Sequence, residues 1–114
     1  MAKPNPLNLN ALQSKTLVLL QAMARSERFT GPEPEPGHVL VTSMPHAHGD
    51  HFHLGDAVVQ ARDATGLSNQ AVFVALQRKG LVKPHQPSGI VLTPAGLAYD
   101  TGIAGQVLHR HEGH

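Results

Sequence analysis

A chain of 114 residues that is 40% apolar and 15% charged has the size and composition of one compact globular domain, with material for a single core. The absence of cysteine excludes disulfide frameworks, thiolate metal sites and zinc fingers, so any metal must be held by imidazole or carboxylate. A formal net charge of +1 neither demands nor forbids a nucleic-acid partner. The opening "MAKPNPLNLN" lacks the basic-then-apolar run of a signal peptide, and no apolar run approaches the roughly 18 to 20 residues that span a bilayer. A cytoplasmic protein with no membrane partner is expected.

In chain order, "NALQSKTLVLLQAMARSE" is rich in helix formers, Asn10 can cap it, and Leu12, Leu19, Leu20 and Met23 recur at helical spacing. Helix one is therefore expected within residues 9–27. Residues 28–54 read as a Pro-rich and His-rich insertion. In it Pro32, Pro34 and Pro36 fix an extended loop, and "HVLVTSM" and "HFHL" read as strands pairing as a hairpin around "PHAHGD".

Residues 55–80 change period. "DAVVQARDATG" reads as helix two, with Asp56 as N-cap, Val58, Ala61 and Arg62 at helical spacing, and Gly66 as its stop. "LSNQAVFVALQRKG" reads as helix three, capped by Ser68, with Val72 and Leu76 facing the core and Gly80 ending it. Over residues 81–93, "LVKPH" and "GIVLT" form a hairpin around "QPSG". Thr93 and Pro94 then open a final helix over residues 94–108, and residues 109–114, "HRHEGH", are expected to be a frayed tail.

This order of elements resembles the winged helix-turn-helix superfamily. "DAVVQARDATGLSNQAVFVALQRKGLV" followed by "GIVLTPAGLAYD" is similar to the core of small bacterial regulators of the MarR-like kind, a likeness that covers roughly the last half of the chain and helix one by position. The resemblance rests on the Gly66-Leu67-Ser68 turn, Val72, Leu76, Gly80-Leu81-Val82 and Leu92-Thr93-Pro94-Ala95-Gly96. It implies an α+β fold, a three-helix core with a β-hairpin wing, here with the His-rich hairpin inserted between helices one and two and a C-terminal helix. Gly66 is expected to take positive φ at the corner between helices two and three, with Leu67 in the core beneath it. Two departures stand out: helix three is about one turn shorter than in many family members, and the insertion is long.

The implied function is sequence-specific binding of double-stranded DNA by a transcriptional regulator, working as a homodimer through helix one and the terminal helix. Its groove-facing residues would be Ser68, Asn69, Gln70, Phe73 and Gln77, with Arg78, Lys79 and Lys83 on phosphates and His85 at the wing. The alternative is a protein–protein interaction module, because "AVFVAL" places six apolar residues in a row and can bury one face in the core and another in a partner.

"VTSMPHAHGDHFH" orders His46, His48, Asp50 and His51 in a pattern that resembles the HxHxDH metal motif of metallo-β-lactamase-fold hydrolases. That fold needs a much longer chain, and His85, Asp100 and His109 come too soon to supply its later ligands, so metal-dependent hydrolysis ranks third and no catalytic residue is expected. Two readings of the cluster stay open. One is an exposed hairpin of solvated imidazoles; the other is a local metal or proton sensor in which His46, His48, His51 and His53 hold zinc, nickel or copper with Asp50 beside them.

Overall fold

The structure, a computed structural model, describes residues 4–45, 49–54, 57–85 and 88–110, the last without its side chain. It is a small α+β fold built around one helix. This helix, α1 (Ala11–Ala24), starts at a capping box, in which Asn10 Oδ1 accepts from the Gln13 amide at 2.8 Å and Gln13 Oε1 accepts from the Asn10 amide at 3.1 Å. Its middle is buried on every side: Ser14, Thr16, Leu17, Val18, Leu19, Leu20 and Met23 are all inside. A separate 3-10 turn (Glu27–Phe29), capped by Ser26, follows where the helix was expected to continue.

Among the described residues, two three-stranded antiparallel sheets complete the fold. The first joins β1 (Val39–Val41), β4 (Val82–Pro84) and β5 (Ile90–Leu92) in the order β1-β5-β4, with Val39 and Val82 both in register with Leu92. The second joins β2 (His51–Leu54), β3 (Ala57–Gln60) and β6 (His109–Arg110) in the order β2-β3-β6. The hairpin expected between "HVLVTSM" and "HFHL" does not form. The first segment pairs with β5 instead, and "HFHL" pairs with the segment that follows it.

Helix two is the main correction. Residues 57–60 are a strand, followed by two 3-10 turns (Ala61–Asp63 and Thr65–Ser68), and the expected cap Asp56 lies outside the described residues. A helix on the Val58, Ala61 and Arg62 spacing would turn only one large apolar side chain inward. As a strand the same residues set Val59 opposite Phe52 and Ala57 opposite Leu54, and Val59 and Leu54 close on Leu19 of α1. Tertiary burial outweighs the local helical spacing.

Helix three is α2 (Gln70–Arg78), capped by Asn69 rather than Ser68, with Val72 and Leu76 buried as expected. Gly80 follows it at φ +77, the left-handed conformation that ends a helix cheaply only in glycine. Gly66 is different. Its φ is not positive; glycine is required because a methyl group there would overlap the Thr16 hydroxyl of α1, with Leu12 Cδ1 at 3.3 Å. Leu67 is part-buried against the core, as expected.

The hairpin of β4 and β5 forms as expected, and Thr93 with Pro94 at N1 opens α3 (Pro94–Ala98). The terminal helix is not continuous, because Tyr99 leaves helical geometry and Gly102 takes φ +79 before α4 (Ala104–Val107) begins. Gln21 Nε2 donates to the Gly96 and Tyr99 carbonyls, each at 2.8 Å, while the Tyr99 hydroxyl donates to Asn5 Oδ1 at 2.6 Å. These bonds satisfy groups that the break would otherwise strand. Two further expectations change. Residues 109–110 pair with β3 rather than fraying, and the middle of α1, expected at a dimer surface, is buried in its own chain's core. Among the described residues no helix is long and apolar enough to cross a membrane.

Gly66→Ala should cost about 1–3 kcal/mol in urea unfolding, the usual range for overpacking a close contact. Adding Thr16→Ala should recover part of that loss. Gly105→Ala, in α4 with open space around the new methyl, should be neutral or gain up to about 1 kcal/mol.

Candidate functional site

The nine residues of α2 divide cleanly by period. Val72 and Leu76 point inward, Phe73 packs against the core edge, and Gln70, Ala71, Val74, Gln77 and Arg78 are exposed. Positions 70, 74 and 77 fall in one row along the outer face, so the "AVFVAL" run turns Val74, 38% exposed, toward solvent between two glutamines. The exposed face is mixed, with two amide side chains, one valine and one guanidinium.

Several expected interface residues are tied up locally. Ser68 Oγ donates to the Thr65 carbonyl at 3.1 Å, and Asn69 Oδ1 accepts from the Ala71 amide at 3.0 Å to cap α2, leaving only its NH2 for other work. Lys79 Nζ donates to the Leu7 carbonyl at 3.1 Å, and Lys83 Nζ pairs with Glu35 Oε2 at 3.2 Å. His85 Nδ1 donates to the Ser88 carbonyl at 3.1 Å, which holds its ring beside the turn of the β4–β5 hairpin. Sequence reasoning singled out neither Glu35 nor Val74. The Glu35 pairing spans 48 residues of chain and leaves no local sign, whereas Val74 was available from the period of α2.

One hydroxyl sets this hairpin against α2. Thr93 Oγ1 donates to the Gly80 carbonyl at 2.7 Å and accepts from the Gly96 amide at 3.1 Å, while the Thr93 amide bonds the Leu81 carbonyl at 3.2 Å. The end of α2, the start of β4 and the first turn of α3 are thereby one block.

The histidine cluster lies on the other sheet. His51 and His53 share the outer face of β2, because Phe52 and Leu54 take the inner one. Their Nε2 atoms are 3.2 Å apart, with the rings edge-on at a centroid separation of 4.9 Å. Asp50 Oδ1 lies 3.4 Å from His51 Nδ1. Across the sheet, Gln60 stands opposite His51 and Val58 opposite His53, and His109 in turn stands opposite Val58. His109 is therefore on the same face, a neighbour that sequence spacing did not reveal. His46 and His48 lie outside the described residues, among which no three His, Cys, Asp or Glu side chains converge as a metal cage. Asp50 faces the ring nitrogen remote from the Nε2 pair, so it does not join that pair as a third inner ligand.

Compared with models of protein families, with curated proteins and with solved structures, the chain matches none.

Proposed function

We propose that the chain is a winged-helix DNA-binding module, a cytoplasmic transcriptional regulator that reads duplex DNA with α2 and steadies it with the β4–β5 hairpin. The observation that carries this reading is the outer row of α2, where Gln70 and Gln77 are exposed on a helix whose opposite side is buried, with Arg78 at its edge and the hairpin adjoining. Glutamine bonds adenine bidentately, Val74 suits a thymine methyl, and Arg78 suits a phosphate. The strand order β1-β5-β4, with α1 before it and α2 feeding its hairpin, agrees with a winged-helix arrangement. Here β3 and the two 3-10 turns stand where that fold carries its second helix, so the turn into α2 is held by the Gly66–Thr16 approach instead. Action as a homodimer on paired half-sites is part of the proposal.

A second reading, a protein-binding module, is favoured by Val74 at the centre of the row and by the engagement of Lys79 and Lys83 within the chain. Selection from a random duplex pool, followed by anisotropy titrations between about 50 and 200 mM salt, separates the two. Gln70→Ala and Gln77→Ala should each weaken the selected sequence by about 1–3 kcal/mol and leave random duplex unaffected. Arg78→Ala should weaken every sequence and lower the salt slope by about one. No duplex binding at the lowest salt overturns the DNA reading and leaves the protein-binding one.

Charge release supplies an independent check. Glu35→Gln frees the Lys83 ammonium, so binding to any duplex should tighten and the salt slope should steepen by about one. Fold stability should change by less than about 1 kcal/mol, since the pair is exposed.

A further inference from the structure

We propose that His51 and His53 form a surface chelate for one late divalent transition ion of the zinc, nickel or copper class, bound through both Nε2 atoms. The site does not rest on the DNA reading, since it stands on the other sheet and uses none of the α2 residues.

Register makes the pair. Phe52 opposite Val59 and Leu54 opposite Ala57 hold the inner face of the hairpin against the core, and a slip of one residue would bury both imidazoles. Both rings are thus committed to the outer face, two residues apart on one strand.

The nitrogen geometry fits an ion. Two imidazoles on a tetrahedral centre, each about 2.0–2.1 Å from the metal, hold their nitrogens about 3.3 Å apart. The observed separation is 3.2 Å. In the metal-free chain the same two atoms share a hydrogen bond, which an ion entering between them would replace.

Asp50 stands beside the ring nitrogen remote from the pair. Its Oδ1 lies 3.4 Å from His51 Nδ1, and a proton on that nitrogen puts the lone pair on Nε2, the atom that faces His53. Directly across the strand stand Gln60 and Val58, both uncharged, so no cation opposes a bound ion from there.

The donor set selects the ion class. Two imidazoles without carboxylate oxygens at the centre suit zinc, nickel and copper, and they offer magnesium or calcium nothing that water does not.

The test uses the full chain. Zinc is titrated while the ring nitrogens of His51 and His53 are followed by long-range nitrogen–proton correlation spectra, with calorimetry on the same samples and magnesium as the comparison ion. Both Nε2 resonances should shift together with zinc and stay in place with magnesium. His51→Ala and His53→Ala should each weaken the calorimetric binding by about ten-fold or more. His85→Ala, on the other sheet, should not. Circular dichroism on every variant verifies the fold, and the spectra of the unsubstituted chain decide the question should a variant unfold. Ring nitrogens of His51 and His53 that stay in place under saturating zinc, or variants that bind as tightly as the parent chain, overturn the proposal.

Discussion

The rest of the fold is arranged around the need to cover α1 on every side. Leu17, Val18, Leu19, Leu20 and Met23 are buried together, and four of them are consecutive, so no single sheet or helix packed on one stripe could cover them. Burial of five such side chains is worth on the order of 10 kcal/mol, comparable with the whole stability of a small domain. A short chain meets the demand by returning to α1 repeatedly. Val41, Val82 and Leu92 come from one sheet, Leu54 and Val59 from the other, and Val72, Leu76 and Val107 from the later helices.

Two close approaches turn that burial into a defined geometry. At Gly66 the chain passes so near Thr16 that any side chain would collide, which fixes where α2 starts relative to α1. Beyond α2, Gly96 sits against the Leu81 carbonyl with no room for a methyl, and the Thr93 hydroxyl binds the Gly80 carbonyl. Start and end of α2 are thus held independently, so the direction in which Gln70, Val74 and Gln77 face is a property of the core rather than of the loops.

What could be read in the sequence was what local chemistry decides. Asn10 and Thr93 are caps whose bonds lie within one turn, Gly80 is a left-handed stop, and "LVKPH" with "GIVLT" is a hairpin closed over a short turn. What could not be read depends on distant chain. The "AVVQ" segment satisfies a helical spacing until Phe52 is placed opposite Val59, and β1 finds its partner some fifty residues on in β5. The candidate site divides in the same way. His51 and His53 share a face through simple alternation, whereas His109 joins that face only because β6 pairs with β3. Lys79 and Lys83 looked like free phosphate binders because Leu7 and Glu35, their partners, are 72 and 48 residues away.

The β2–β3 hairpin shows how one short alternating segment serves two purposes without conflict. Its inner residues Phe52, Leu54 and Val59 help enclose Leu19, and its outer residues carry the imidazoles. Substitution on the outer face therefore tests chemistry with little cost to folding, whereas substitution on the inner face opens the core around α1. The Ala61 amide bonds the Asp50 carbonyl at 2.7 Å, closing the hairpin at the residue whose carboxylate faces His51. From that closure only the two 3-10 turns lead to the Asn69 cap of α2. The residue beside the His51 ring is thus backbone-bonded to the first of the turns that deliver α2, so the two candidate surfaces meet at one junction while their side chains stand on different elements.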